Sequence, residues 1–123
     1  MSTLHKPLEV ITIMADYSAE PAVWRNGSLS DLEDICEEVG IEFSLDIQAL
    51  ALRLNAWQYI YEGFDFFSGR ITSKTIHDTE TFKDWDIEGR LLAIEVRKII
   101  PMKYEVEYFS EEDSIRYTIY LME

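Results

Sequence analysis

The sequence has little positive charge, and one long segment has none at all. Between Arg25 and Arg53 there is no lysine or arginine. The whole chain has 24 acidic and 11 basic residues, so the formal net charge is -13. Because nucleic acids and anionic membranes are bound through basic surfaces, neither is an expected partner. A positively charged protein is favoured instead, since complementary charge speeds the encounter of two proteins.

Cysteine and long apolar runs are also scarce. Cys36 is the only cysteine, which excludes an intramolecular disulfide and a cysteine-rich metal site; we expect it to be half-buried on a helix. No apolar run approaches the roughly 20 residues of a membrane helix. The N-terminus does not have the basic and apolar regions of a secretory signal. The sequence therefore predicts a cytoplasmic protein that does not span a membrane.

Catalytic motifs are missing as well. His5 and His77 are the only histidines, and the chain has no paired-histidine motif, nucleophile elbow, phosphate-binding loop or dinucleotide-binding glycine pattern. The acidic residues do not follow the spacing of a calcium-binding loop. We therefore expect no enzyme activity, no metal and no cofactor. An enzyme that uses Asp16 and His77 is nevertheless kept as one functional hypothesis, beside the two binding functions given below.

The chain does have enough apolar sequence for a folded core, since 47% of its 123 residues are hydrophobic. This length and composition predict one globular domain over residues 1–123. The apolar, β-branched segment Leu8–Ala15 predicts a strand that is covered on both faces. Residues 18–28, which include the turn dipeptide Asn26-Gly27, predict a loop.

Three predicted helices follow this loop. Ser30 and Glu33 form a capping box for the first helix, which ends at Gly40. The second helix begins at Ser44 and carries an apolar stripe at helical spacing, formed by Ile47, Leu50, Leu54, Trp57 and Tyr61. An irregular, aromatic-rich segment, Phe64–Asp84, lies between it and the third helix, and its length is often a mark of function.

The third helix is predicted from Asp84 or Asp86 to Ile99, with Leu91 among its apolar positions. Arg97 and Lys98 lie in its last turn, where positive charge suits the helix dipole. Residues 102–109 and 114–121 then alternate as two strands of an antiparallel hairpin. The order of elements is β-α-α-α-β-β, which suggests a right-handed parallel crossover. We predict an α+β (α/β-like) fold, with a small mixed sheet of three strands and helices packed on it.

The segment without positive charge contains seven carboxylates: Asp31, Glu33, Asp34, Glu37, Glu38, Glu42 and Asp46. Like charges this close repel one another and lower stability. One interpretation is a solvated helix face that keeps the protein soluble. Such a helix usually mixes both signs at i, i+4 spacing, so the other interpretation is a surface for a basic partner. We predict partner contacts from Glu33, Asp34, Glu37, Glu38, Glu42 and Asp46.

Three further features are candidates for the same interface. Trp24 lies in the predicted loop, where it either anchors the loop on the core or contacts a partner. Asp16 follows the buried first strand, at the end where α/β proteins bind ligands; alternatively, it forms a turn. The segment Phe64–Asp84 either covers the core or adds apolar contacts.

Several packing residues together resemble a known family. The first strand ends in Ala15-Asp16-Tyr17, Val23-Trp24 follows, and the second helix has the pattern Leu50-x3-Leu54-x2-Trp57-x3-Tyr61. The third helix contains Glu88-Gly89-x2-Leu92-Ala93 and leads to Pro101 and the strand Tyr104-x-Val106-x-Tyr108. From about residue 8 to 121, this pattern resembles small bacterial immunity proteins of polymorphic-toxin and contact-dependent growth inhibition systems.

The resemblance implies a cytoplasmic, non-enzymatic inhibitor that binds and neutralises a cognate toxin domain. Many such toxins are nucleases with basic substrate clefts, which an acidic protein can cover. The family supplies no catalytic motif and no binding residue to transfer. The alternative hypothesis is an acidic adaptor or regulatory subunit that binds a basic host protein. The sequence identifies neither the toxin nor the oligomeric state.

Overall fold

The computed structural model describes residues 9–16, 20–62, 64–65, 70–71, 82–111 and 113–120. The strands in these ranges are β1 (Val10–Ile13), β2 (Val23–Arg25), β3 (Ser28–Ser30), β4 (Phe64–Asp65), β5 (Arg70–Ile71), β6 (Glu105–Ser110) and β7 (Ile115–Thr118). The helices are α1 (Leu32–Val39), α2 (Leu45–Glu62) and α3 (Phe82–Ile99). In the described part of the chain, no helix is both long and apolar enough to cross a membrane.

A mixed sheet with the strand order β3-β2-β1-β6-β7 is the centre of the fold. β1 and β6 run parallel, with Ile11 opposite Val106, and the other neighbouring strands are antiparallel. The predicted α+β class, the parallel pairing of distant strands and the C-terminal antiparallel hairpin are confirmed. The predicted sheet of three strands is wrong, because this sheet has five.

The two missed strands are β2 and β3, which form a hairpin that begins inside the segment predicted as a loop. Asn26 and Gly27 join them, and both residues have positive φ angles, 50° and 86°. Positive φ at both central residues is the geometry of a two-residue turn that matches the twist of paired strands. Each strand has only three residues, so the alternation that identifies a strand in a sequence is too short to recognise.

α1 begins one residue later than the capping box predicted. Asp31 is the N-cap, and its side chain accepts a hydrogen bond from the backbone N–H of Asp34 at 2.8 Å. The prediction of Ser30 as the cap is therefore wrong, whereas the end at Gly40 is confirmed. Gly40 has φ 79°, the left-handed conformation in which glycine ends many helices. Cys36 is fully buried on this helix rather than half-buried, and burial raises the pKa of its thiol.

α2 supplies the centre of the hydrophobic core. All five residues of its predicted apolar stripe are buried. Trp57 stacks on Trp85 of α3 with ring centroids 4.5 Å apart, and each indole N–H donates to the backbone carbonyl of the other residue. The prediction that Trp57 faces the core is confirmed, and Trp85 is buried as well. This reciprocal pair fixes the separation of α2 and α3.

α3 begins at Phe82, so the predicted start at Asp84 or Asp86 is wrong. Asp86 is buried within the helix and accepts hydrogen bonds from Tyr108 Oη and Ser110 Oγ, each at 2.8 Å. A buried carboxylate without donors would be costly, and here two hydroxyl groups satisfy it. These bonds join α3 to β6.

Some large apolar side chains are exposed. Leu91, one of the predicted apolar positions of α3, is 49% exposed, and Ile115 of β7 is 50% exposed. β4 and β5 pair with each other as a short antiparallel ladder, separate from the main sheet. Most of the segment Phe64–Asp84, together with His5 and His77, lies outside the described residues, and so do the predictions made for them.

Candidate partner-binding surface

The acidic residues of α1 form one exposed face of that helix. Its buried side carries Leu32, Ile35 and Cys36, and helical spacing turns the carboxylates between them outward. Two more exposed carboxylates follow, one in the connection to α2 and one in the first turn of α2. All six predicted acidic contact residues are thus exposed, and we call them the acidic surface: Glu33, Asp34, Glu37, Glu38, Glu42 and Asp46.

Arg25 of β2 contacts the edge of the acidic surface. Its guanidinium forms ion pairs with Glu38 and with Glu9, the latter at 2.5 Å. The hydrogen bond from Arg25 lowers the pKa of Glu9. The acidic segment is therefore partly neutralised by a residue that precedes it in the sequence. The other five members of the acidic surface form no ion pair with a described residue.

Trp24 lies on the other side of the sheet from the acidic surface. Successive strand residues point to opposite faces, and since Arg25 reaches α1, its neighbour Trp24 faces away from α1. The Trp24 side chain is half-buried, and its Nε1 donates to the backbone carbonyl of Met14 at 2.8 Å. Thr12 and Arg116 line the same shallow depression as Trp24. Trp24 therefore does not extend the acidic surface, and its hydrogen bond fits the anchoring hypothesis.

Asp16 follows β1, beyond the carboxyl end of that strand. It is exposed, and its backbone amide and carbonyl both bind the side chain of Gln58. Glu111 follows β6 at the same edge of the sheet. Burial, and then the charges of Asp16 and Asp86, raise the pKa of Glu111. Among the described residues, no group of three or more histidine, cysteine, aspartate or glutamate side chains is arranged to hold a metal ion.

The raised pKa of Glu111 predicts pH-dependent stability. An acid whose pKa is higher in the folded protein than in the unfolded chain weakens folding as the pH rises above its ordinary value of 4.5. Glu111→Gln should therefore raise the melting temperature near pH 7 but not at about pH 3, where both states hold the proton. Circular dichroism melts at the two pH values measure this. Glu37→Gln, an equal change of charge on α1, is the control, and equal gains in both variants would contradict the prediction.

Beside the acidic surface, a cleft of about 330 Å³ opens between β2, α1 and α2, and we call it the α1–α2 cleft. Its apolar lining consists of Pro21, Val23, Leu32, Phe43, Ala51 and Leu54. Its polar lining includes Asn55 and three carboxylates, those of Glu20, Asp31 and Glu33. Only Glu33 belongs to the predicted contact residues. The sequence analysis did not predict Glu20 and Asn55 as site residues, because they come from separate segments that meet only in the folded protein. The one sequence feature that pointed to Asn55 was its position next to the apolar stripe of α2.

A family model described as Serratia CdiI immunity protein-like matches residues 9–111. The chain belongs to this family. The CdiI-like match runs from the residue before β1 to the residue after β6 and includes all of α1, α2 and α3. It confirms the resemblance to immunity proteins of contact-dependent growth inhibition systems. Comparison with curated proteins and with solved structures gives no match.

Proposed function

We propose that the chain is an immunity protein that binds a cognate toxin domain and neutralises it, with the acidic surface as the contact region. Membership of the CdiI immunity protein-like family supports this class of function. The observation that supports the surface is the exposure of six carboxylates, of which only Glu38 is ion-paired with a described residue. Carboxylates that repel one another in the free protein are stabilised when a basic partner covers them.

A toxin with a basic cleft fits this charge, and we propose nuclease activity for it. A nuclease holds the phosphate backbone of its substrate through lysine and arginine side chains. The carboxylates of α1 would occupy the positions of phosphates in such a cleft, and the bound inhibitor would exclude the nucleic acid. This mechanism needs only binding, so it requires no catalytic group on the immunity protein.

A growth assay tests the proposed function. The C-terminal region of the protein encoded immediately upstream of this chain is expressed in bacteria with and without the chain. We expect growth arrest with degraded DNA or RNA, and we expect coexpression of the chain to relieve it. No arrest, or arrest that the chain does not relieve, would favour the alternative of an acidic adaptor for a basic host protein.

Reversing two charges on α1 should slow toxin binding. For the double variant Glu33→Lys, Glu37→Lys we expect association with the toxin domain about 10-fold slower at low salt and a weaker dependence on ionic strength, because charge mainly sets the rate of encounter. Stopped-flow fluorescence at several salt concentrations measures both quantities.

The matched control for this variant is Asp84→Lys, Glu88→Lys. It makes the same change of charge at the same i, i+4 spacing, and also begins in the first turn of its helix, α3. We expect a smaller effect, because these residues are not part of the acidic surface. Equal slowing in the two double variants would assign the effect to net charge, and wild-type association of the α1 variant would exclude α1 as the contact surface.

A further inference from the structure

The α1–α2 cleft has the size and the apolar lining of a site for one long side chain. Val23, Leu32 and Leu54 are at most 1% exposed, so the floor of the cleft is part of the hydrophobic core. The small side chain of Ala51 leaves space between α2 and the neighbouring elements. The volume of about 330 Å³ is at the lower end of the range for ligand pockets, roughly 300–1,000 Å³. It accommodates a side chain but not a helix.

Asn55 lines the cleft and carries a buried hydrogen-bond acceptor. Its Oδ1 is inaccessible to solvent, and no described residue donates a hydrogen bond to it. An acceptor left in this state lowers the stability of the fold. Because the atom is inaccessible, the Asn55 side chain has to turn toward the cleft before a donor from a partner can satisfy it.

The charge around the cleft is negative. Glu20 and Glu33 are exposed at its border, and no lysine or arginine among the described residues lines it. A helix N-terminus by itself favours anions, and α1 begins here. Asp31 already occupies that end, since it accepts the hydrogen bond from the backbone N–H of Asp34. The cleft therefore disfavours an anion and favours a cation.

We propose that the α1–α2 cleft binds an arginine side chain of the toxin domain; this rests on the proposed function and adds an anchor to it. The stem and the flat faces of an arginine pack on apolar walls. Its N–H groups donate to Asn55 Oδ1 and to the carboxylates of Glu20 and Glu33. Lysine fits less well, because its ammonium is strongly hydrated and has no flat face. Arginine is also among the residues that most often dominate the energy of an interface.

Filling the cleft tests this anchor. Ala51→Phe places a ring in the cleft, and we expect the dissociation constant for the toxin domain to rise about 100-fold. Ala49→Phe is the matched control, since Ala49 is exposed on the same helix and does not line the cleft; we expect its affinity to stay within about 3-fold of wild type. Isothermal titration calorimetry measures both. Wild-type affinity of Ala51→Phe would overturn the proposal.

A second variant tests the acceptor separately from the shape. Asn55→Leu keeps the branched outline of the side chain and removes Oδ1, so the free protein should be as stable as wild type or more stable. We expect its affinity for the toxin domain to fall at least about 10-fold, because the arginine loses its partner. Unchanged affinity would overturn the role of Asn55.

A titration of the free protein separates failure of the anchor from failure of the proposed function. N-acetyl-arginine methylamide and N-acetyl-norleucine methylamide are added in turn to the 15N-labelled protein, without any toxin. We expect the arginine compound to shift the side-chain amide resonances of Asn55 saturably, and Ala51→Phe to abolish this shift. A larger shift with norleucine, or none with either compound, would overturn the proposal even if the chain neutralises the toxin. A saturable arginine shift in a chain that gives no protection would instead overturn the proposed function and leave a cation-binding site in place.

Discussion

Replacing Gly89 with alanine should destabilise the protein by about 2–3 kcal/mol, although alanine is the better helix former by about 1 kcal/mol. Gly89 is buried in α3, and a Cβ atom there would lie 2.3 and 2.6 Å from two ring carbons of Trp57 and 2.6 Å from Tyr108 Oη. Neither ring can move aside. Trp57 is stacked and hydrogen-bonded with Trp85, and Tyr108 donates to the buried Asp86.

Urea unfolding of wild type and Gly89→Ala, with the midpoint and slope of each transition, measures this effect. The control is the same substitution in a Trp57→Leu background, where the two contacts with the Trp57 ring are removed and the contact with Tyr108 Oη remains. We expect Gly89→Ala to cost less there than in the wild-type background, so the two changes are coupled. An equal cost in both backgrounds, or no cost in wild type, would show that α3 does not approach Trp57 this closely.

The sequence alone predicts the parts of this fold that depend on local periodicity. The apolar stripe of α2 is 15 residues long, from Ile47 to Tyr61, and every one of its five members is buried. The same periodicity correctly places the carboxylates of α1 on the outside. Neither result needs any knowledge of which elements become neighbours, because an amphipathic helix shows its two faces in its own sequence.

The sequence does not predict features that depend on contacts between distant elements. Aspartate is a common helix-capping residue, yet two hydroxyl groups on β6 allow Asp86 to be buried inside α3. The absence of basic residues after Arg25 suggested an uncompensated acidic segment, yet the hairpin returns Arg25 itself to Glu38. The position of Trp24 on the face of the sheet away from the acidic surface likewise follows from the pairing of strands, which no local pattern encodes.

Replacing Arg97 with leucine should destabilise the protein by about 3–5 kcal/mol. Arg97 is 4% exposed, and its guanidinium donates to the backbone carbonyls of Tyr104 at 2.7 Å and of Ile100 and Pro101 at 2.9 Å. Burial lowers the pKa of Arg97, but an arginine stays protonated near neutral pH. The three carbonyls belong to the turn that leads from α3 to β6. A leucine would leave them without this donor.

The size of this loss decides between two explanations of the same residue. From the sequence, Arg97 is a cation in the last turn of a helix, and such a cation contributes typically about 0.3–1 kcal/mol at an exposed position. The structure instead makes it the donor that holds the turn between α3 and β6. Urea unfolding of Arg97→Leu measures the loss. Arg53→Leu is the control, because Arg53 is exposed on α2 and lies 3.6 Å from Glu88; we expect it to cost less than about 1 kcal/mol. If Arg97→Leu costs as little as Arg53→Leu, Arg97 contributes only through its interaction with the helix dipole. The backbone of the turn would then hold its conformation without the Arg97 side chain.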